Sequence, residues 1–301
     1  MKTTLLTLAI AMVALSAQAT VINVPSDQPT IQAGIDAASS GDTVLVEPGT
    51  YQENLVVQDK DLCLFSSNGP AVTILEPFSS NSLLVLNSCS QATIVSGFTL
   101  SGCNGQSAVY ISGGSPIIRD NIFRFNSQNN DNGAPLRGGS GSAPFVDHNL
   151  FDSNGGIANV YVQGPMTFVN NTVVNSTRSG VYAYDGNATI LNNIVANCDY
   201  YGIFDNGTNA TIDYNCTWNN SSQNNPGPNG IIADPLFVDP DNDDYHLQAA
   251  SPCIDAGHPD PLYSDPDGTR NDMGAFAFTQ VPEVYISPSG SDETGTGASD
   301  D

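Results

Sequence analysis

The sequence predicts an all-β solenoid, a stack of parallel coils, and three observations support that prediction. A phrase built around an asparagine recurs at a regular interval along the chain. A second phrase of alternating apolar and aromatic residues is interleaved with the first. Glycine, asparagine and aspartate separate these short pieces, and such residues tolerate the left-handed conformations of tight bends. The repeats therefore have room for short strands and none for helices.

The asparagine phrase is clearest in ATILNNIVANCD, residues 188–199. The central asparagines of its five copies are Asn121, Asn149, Asn171, Asn193 and Asn215. The last three intervals are 22 residues and the first is 28, so one coil carries an insertion. A fixed period in this range indicates a solenoid in which each repeat stacks on its neighbours. We therefore predict one column of stacked asparagines, each hydrogen-bonded to its equivalents in the adjacent coils.

The second phrase reads AVYIS from residue 108, NVYVQ from 159, GVYAY from 180 and GIFDN from 202. Each repeat then holds about three short strands, which makes a parallel β-helix. Because side chains alternate across a strand, Val181 and Ala183 point into the coil and Tyr182 points outward. The same alternation predicts an outward column whose members are Tyr110, Arg137, Tyr161, Tyr182 and Phe204.

The two ends of the chain add motifs that the repeats lack. The first is VINVPSDQPTIQAGIDAASSGDTVLVEPGTYQENL, and the second runs from DPLFVDPDNDDYHLQAASPCIDAG to GAFAF. Together with the repeats they resemble the right-handed parallel β-helix of the pectin-lyase type, as found in secreted bacterial surface proteins. The resemblance implies a right-handed single-stranded β-helix with a short N-terminal capping helix at residues 29–39. Because this fold hosts lyases, hydrolases, epimerases, adhesins and structural shafts, it names no activity.

The resemblance and the composition divide the chain into four parts. Residues 1–19 form a secretory signal peptide, with Lys2, an apolar run and an Ala-Gln-Ala cleavage motif. Residues 20–235 form the β-helix and residues 236–280 its closing segment. Residues 281–301 are polar and rich in Gly and Ser, which predicts a linker or the start of a further domain; a disordered acidic tail is the alternative. We expect a secreted or extracellular protein at the cell surface.

The charge excludes one large class of partners. The sequence has 31 acidic and 7 basic residues and a formal net charge of −24. Such a field repels nucleic acids and polyanions and attracts cations. The regular Ile, Val, Leu and Phe positions argue against disorder. We expect a folded monomer that binds no nucleic acid.

The outward column is the candidate binding surface. Aromatic faces one strand spacing apart could stack on sugar rings, and Arg137 could hold a carboxylate or a hydroxyl group. For a polysaccharide lyase, the candidate catalytic pair is Arg137 with Tyr161, with calcium as the cation. A hydrolase needs clustered carboxylates, and only Asp185 and Asp205 lie near the column. The alternative is that the stacked aromatics only stabilise the sheet.

Two runs of aspartates are candidate Ca²⁺ ligands, because hard oxygen donors in loops are what this cation prefers. The first run includes Asp239, Asp241 and Asp243, and the second includes Asp265, Asp267 and Asp272. Neither run has a full twelve-residue calcium loop. The alternative is that both are turns whose side chains bond their own backbone. No other cofactor is indicated.

Opposite charges and cysteines also recur at matched positions. Arg119 is predicted to stack over Asp147 and Arg124 over Asp152, most simply as surface ion pairs. A disulfide between Cys216 and Cys253 is possible if the protein is exported, and so is one between Cys89 and Cys103. Buried free thiols are the alternative.

Three classes of function remain open. The first is a secreted β-helix that binds polysaccharide or another macromolecule through its side. The second is a carbohydrate-active enzyme, a polysaccharide lyase or an epimerase, and the third is a structural stalk. We favour binding without turnover, because the sequence contains an aromatic column and no compact catalytic set.

Overall fold

The computed structural model describes residues 18–127, 133–222 and 224–280. Most of the predicted signal peptide and all of residues 281–301 lie outside the described residues. In the described part, three parallel sheets, here called A, B and C, contain nine, eight and seven strands. The chain visits A, B and C in turn in each coil. The predicted all-β solenoid is therefore confirmed.

The strands of sheet A are Val21–Val24, Thr43–Val46, Cys63–Ser66, Ile94–Ser96, Ile117–Arg119, Phe145–Asp147, Thr167–Val169, Thr189–Leu191 and Thr211–Asp213. The strands of sheet B are Gly49–Gln52, Thr73–Glu76, Thr99–Ser101, Ile122–Arg124, Leu150–Asp152, Thr172–Val174, Ile194–Ala196 and Cys216–Trp218. The strands of sheet C are Leu55–Gln58, Leu84–Cys89, Val109–Gly114, Leu136–Gly138, Ala158–Val162, Ser179–Ala183 and Ile203–Asp205.

The core is a stack of apolar side chains inside the coils. Inward residues of all three sheets are fully buried, and equivalent residues of successive coils lie over one another. The rings of Phe123 and Phe151, for example, stack with centroids 4.5 Å apart and planes 10° from parallel. Burial of this kind is the main favourable term in folding. The side chains that point out of the coils are not part of this core.

The predicted asparagine column is confirmed at the corner between sheets A and B. The Oδ1 atom of Asn149 accepts from both the backbone N and the Nδ2 of Asn121, each at 3.1 Å. The same two bonds join Asn149 to Asn171, Asn171 to Asn193, and Asn193 to Asn215. All five asparagines are buried. Because buried donors and acceptors must be paired, this column allows the chain to bend inside the stack.

The residue before each column asparagine has a positive φ, between 51° and 57°. These five residues are Asp120, His148, Asn170, Asn192 and Tyr214. The bend therefore needs the left-handed conformation once per coil, and asparagine and aspartate adopt it at lower cost than most residues.

The N-terminal end of the core is covered by the helix Ile31–Ala37, shorter than the predicted span of 29–39. Its first turn is held by Thr30, whose side chain accepts from Ala33 N, and by Glu53, whose carboxylate accepts from the first two helical N–H groups. Lys60 donates to carbonyl oxygens at the other end of the helix. Both ends are thus satisfied by side chains, and the helix buries its apolar face on the first coil.

The closing segment folds along the outside of sheet B. It contains the antiparallel strands Phe237–Asp239 and Asp244–Leu247 and the 3₁₀ turns Pro240–Asn242 and Pro261–Tyr263. Outward residues of sheet B and residues of this segment form a second buried apolar cluster, which includes Leu150, Val174, Ile194, Cys216, Tyr245, Leu247, Cys253 and Met273. The outer face of sheet B is therefore a second core in its last four coils.

None of the helices among the described residues is long and apolar enough to cross a membrane.

Candidate functional site

The five predicted column residues lie side by side on the outer face of sheet C. Tyr110 pairs with Arg137, Arg137 with Tyr161, Tyr161 with Tyr182, and Tyr182 with Phe204 in successive strands. The predicted alignment of these residues is therefore confirmed. Whether they bind a substrate stays a prediction.

Arg137 lies between two tyrosine rings of the column. Its guanidinium carbon is 5.7 Å from the ring centroid of Tyr110 and 5.6 Å from that of Tyr161, and its Nη2 donates to Gln163 Oε1 at 3.0 Å. Cation–π contacts of this kind fix the side chain in place. The guanidinium that the sequence suggested for a substrate carboxylate is already bound by the protein's own groups.

Tyr161 points outward but is buried by its neighbours, with only 2% of its surface exposed. Its ring stacks on Tyr182 at 5.7 Å and on Tyr184 at 5.4 Å. Burial raises the pKa of Tyr161 to about 12. A phenol with such a pKa keeps its proton at neutral pH, so this residue is poorly suited to act as a general base. Tyr161 is therefore buried even though it lies on the outward side of its strand.

Three aromatic residues that the sequence prediction missed extend the column into a cluster. Tyr184 stacks on Tyr182 at 6.2 Å, Tyr201 on Phe204 at 4.4 Å, and Tyr200 lies 3.9 Å from Tyr201. We call this set the aromatic cluster; its members are Tyr161, Tyr182, Tyr184, Tyr200, Tyr201 and Phe204. The sequence signal was present, because Tyr184 lies two residues after Tyr182 and so on the same face of the strand.

The most exposed rings lie at the edges of the cluster. Tyr184 and Tyr200 are each 44% exposed. The Tyr201 hydroxyl donates to the Tyr200 hydroxyl at 2.9 Å, and this hydrogen bond raises the pKa of Tyr201. The cluster thus offers flat apolar faces next to hydroxyl groups, the combination that amphipathic ligands need.

The carboxylates beside the cluster are held in turns of their own. Asp205 Oδ1 accepts from the backbone N and Oγ1 of Thr208, at 2.8 and 2.7 Å. Asp185 Oδ1 accepts from Gly186 N at 2.8 Å. These bonds stabilise the loops that follow the two strands.

The predicted surface ion pairs have buried carboxylates, which corrects the expectation. Asp147 and Asp152 are each only 2% exposed. Burial by itself raises the pKa of Asp147, but hydrogen bonds from His148 and Arg119 outweigh it and hold the pKa below its ordinary value. The second pair is extended by the closing segment, because Arg124 also binds Asp243 at 2.7 Å. Both pairs join adjacent coils, and the second also fixes the closing segment.

The aspartates of the two runs are bonded mainly within the closing segment, although Asp243 also binds Arg124 of sheet B. Asp239 accepts from Asn242, and Asp267 accepts from Thr269 and Gln280. No group of three or more His, Cys, Asp or Glu side chains among the described residues is placed to hold a metal ion. Whether either run holds Ca²⁺, which takes six to eight oxygens, stays a prediction.

The second run contains a buried carboxyl pair. Asp265 Oδ2 accepts from the backbone N of Asp272 at 2.9 Å, and the two residues are 7% and 1% exposed. Burial, followed by the nearby charge of Asp272, raises the pKa of Asp265 to about 7. Burial also raises the pKa of Asp272.

All six cysteines lie among the described residues, and no disulfide joins any of them in the structure. Cys216 and Cys253 are both fully buried in the cluster between sheet B and the closing segment, and the adjacent Cys216 thiol raises the pKa of Cys253. The Cys89 thiol, in contrast, approaches Val57 O at 3.7 Å, and the Cys103 thiol approaches Asn81 O at 4.0 Å. The predicted pair at 216 and 253 thus has its partners side by side.

Comparison with known proteins agrees with this geometry. A family model described as the right handed beta helix region matches residues 82–234, just over half of the chain. The chain belongs to this family. The match confirms the right-handed parallel β-helix that the resemblance implied. A search of the curated proteins found no match.

Three solved structures are similar to this chain at low identity. An alginate lyase from Paenibacillus sp. str. FPU-7 is 12% identical with a TM-score of 0.40, over 66% of this chain and 87% of that one. A pectin methylesterase mutant in complex with a hexasaccharide is 14% identical with a TM-score of 0.41, over 69% and 73%. The pectate lyase Pel9A is 13% identical with a TM-score of 0.35, over 82% and 90%. Similarities of this size concern the fold alone.

Proposed function

We propose that this β-helix protein binds polysaccharide through the aromatic cluster on the outer face of sheet C. The single observation that carries the proposal is the continuity of the cluster. Six aromatic residues of three successive coils lie in ring-to-ring contact, with centroids 3.9 to 6.2 Å apart. Aromatic faces pack against the C–H faces of sugar rings, and their hydroxyl groups can bond to sugar hydroxyls.

The charges around the aromatic cluster favour an uncharged polysaccharide as the ligand over a polyuronate. The formal net charge is −24, and Asp185, Asp199 and Asp205 flank the rings in sequence. A polyanion approaches against this field. Arg137, the nearest base in the column, is engaged by Tyr110, Tyr161 and Gln163. The preferred ligand is therefore a neutral polysaccharide.

Export belongs to the same proposal. The first nineteen residues have the charged start, apolar run and small-residue cleavage motif of a secretory signal. A protein placed outside the cell meets polysaccharides at high local concentration. Expression of the full chain, followed by fractionation and N-terminal sequencing of the mature form, tests this step. Retention of Met1 in the cell interior would contradict it.

The binding proposal is tested with affinity gels and calorimetry on neutral and acidic polysaccharides. We expect wild type to bind a neutral polysaccharide, and Tyr184→Ala and Phe204→Ala to weaken the Kd about tenfold each, which corresponds to about 1.4 kcal/mol. Tyr263→Ala is the matched control, because Tyr263 lies in the closing segment against His258. Its Kd should equal that of wild type.

Two outcomes would overturn the proposal. The cluster is structural if wild type binds none of the polysaccharides, or if both cluster variants bind as tightly as wild type. Release of unsaturated sugar products that Arg137→Ala abolishes would favour the lyase reading instead of binding without turnover.

A further inference from the structure

A pocket lies at the C-terminal end of sheet B, away from the aromatic cluster. Its volume is about 300 Å³. One wall is formed by Ala196 and Trp218 of sheet B, and the other by residues 234–237 and by Pro240 and Gln248 of the closing segment. Elsewhere in its last four coils the outer face of sheet B is covered by that segment. The pocket is thus a gap between two layers that are otherwise packed.

The sheet side of the pocket is opened by one small residue. Trp218, the chain's single tryptophan, pairs with Ala196 in the strand above it. The residue equivalent to Ala196 is Val174 one coil earlier and Asp152 two coils earlier. Ala196 therefore leaves room beside the indole. Trp218 remains 38% exposed although a buried cluster lies next to it.

The other wall is held in a defined shape. Asp234 Oδ1 accepts from Leu236 N at 3.0 Å, and Gln248 Nε2 donates to Phe237 O at 2.7 Å. Leu236 has a φ of 54°, in the left-handed region that is unfavourable for its side chain. Strained residues of this kind persist where the surroundings over-determine them, and they occur often in ligand sites.

We propose that this pocket binds one uncharged sugar residue. The indole supplies an apolar face for a pyranose ring, and Asp234, Asn197 and Gln248 supply polar groups for its hydroxyls. The volume is at the lower end of the range for small-molecule sites, about 300 to 1,000 Å³, which suits a single ring. The carboxylate of Asp234 repels a uronate. The proposal does not depend on the aromatic cluster.

The single tryptophan makes its emission a probe of this pocket alone. The full chain is titrated with methyl glycosides of neutral hexoses and pentoses, and with galacturonate and glucuronate, to about 50 mM, which saturates a millimolar site. We expect a saturable change in emission with at least one neutral glycoside and none with the uronates. No change with any neutral glycoside, or an equal change with the uronates, would overturn the proposal.

Variants locate the site. Asp234→Asn should weaken the Kd of the neutral glycoside at least fivefold, because the amide replaces a charged acceptor. Asp241→Asn is the matched control, since Asp241 is an exposed aspartate of the same segment outside the pocket wall. Trp218→Phe, followed by ligand-observed NMR, should also lose binding. Tyr184→Ala should leave the titration unchanged, so a failure here is separable from a failure at sheet C. Equal binding by Asp234→Asn and wild type would contradict the assignment.

Discussion

Sheets B and C are built alike but meet different surroundings. Both consist of short parallel strands whose inward residues fill the same core. The outer face of sheet B is covered by the closing segment in its last four coils. The outer face of sheet C carries a stacked aromatic cluster whose edge rings are 44% exposed. In a solenoid the scaffold is the same on every side, so the availability of a side for binding depends on what covers it.

The contacts that hold the closing segment explain why sheet B is closed. Asp152 accepts from Arg124 Nη2 at 2.9 Å, from Asn175 Nδ2 at 2.9 Å and from the Tyr245 hydroxyl at 3.1 Å. Burial, with the nearby charge of Asp152, raises the pKa of Tyr245. Farther along, Thr172 Oγ1 accepts from Ala275 N at 3.0 Å. Buried polar bonds and apolar contacts thus act together on one face.

The largest expected effect comes from breaking this network. Asp152→Ala removes the acceptor of four side chains, those of Arg124, Ser153, Asn175 and Tyr245, and leaves the partly buried Arg124 with Asp243 as its remaining ion-pair partner. Removing one partner of a buried ion pair costs about 3 to 5 kcal/mol. We expect a loss of about 3 kcal/mol in the free energy of unfolding, measured by urea denaturation.

The matched control is Asp241→Ala, because Asp241 is an exposed aspartate of the closing segment. It should change the free energy of unfolding by less than about 0.5 kcal/mol. Equal losses for the two variants would show that the Asp152 network does not fix the segment on sheet B.

The second effect concerns Cys216 and Cys253, which join the last coil of sheet B to the closing segment. If the protein is exported and forms a disulfide here, the bond closes a loop of about 37 residues and stabilises the fold by about 3 kcal/mol. Two thiols would lose two protons and two electrons to the disulfide of an oxidoreductase. Alkylation under denaturing conditions should then label four cysteines before reduction and six after it.

The variant Cys253→Ser should label five cysteines in both states and unfold at lower urea. Cys198→Ser is a suitable control, because Cys198 lies in the other buried cluster, inside the coils. Labelling of all six cysteines in protein purified from an oxidising compartment would exclude the disulfide.

The sequence predicted the repeating contacts well, because they depend on period alone. The ladder from Asn121 to Asn215 and the register from Tyr110 to Phe204 follow from intervals between similar phrases. It did not predict that Asp147 and Asp152 are buried. Burial of Asp152 is caused by a contact with Tyr245, 93 residues away, which no local pattern records.

The aromatic cluster was found only in part, for a different reason. Taking one outward residue from each strand selects Tyr182 and Phe204 and passes over Tyr184. Tyr200 and Tyr201 lie in the corner before a strand, where alternation does not apply. The stacking of Tyr161 beneath Tyr184 depends on side-chain size and direction, so its burial could not be inferred from its position in the strand.

The third effect is a pH dependence of the closing segment. The pKa of Asp265 is about 7 in the folded protein, above its value of about 3.9 in an unfolded chain. The native state then binds the proton more tightly, so stability falls as pH rises from about 4 to about 7 and is level above. A difference of this size corresponds to about 4 kcal/mol without screening. Allowing for solvent screening, we expect the free energy of unfolding to be about 2 kcal/mol higher at the lower end of this range.

Asp265→Asn should remove most of that slope, which separates it from the titration of Asp267 and Asp272 nearby. A chelator should not change the pH dependence of stability in wild type or in Asp265→Asn, since the carboxylates are bonded to N–H groups of the closing segment. A lower melting temperature on chelation at high pH would instead support the calcium site that the sequence suggested.

The smallest expected effect on stability is that of Tyr184→Ala. This variant tests whether the outer face of sheet C is available to a ligand. Tyr184 is 44% exposed, and its ring contacts Tyr161 and Tyr182 on one side. Removing it exposes little of the core, so Tyr184→Ala should change the free energy of unfolding by less than about 1 kcal/mol. Tyr161→Ala, at a site with 2% exposure, should lose about 3 kcal/mol in the same measurement. If Tyr184→Ala is as unstable as Tyr161→Ala, the cluster is a second outer core like that on sheet B. If it is stable but binds polysaccharide more weakly, the rings serve a ligand.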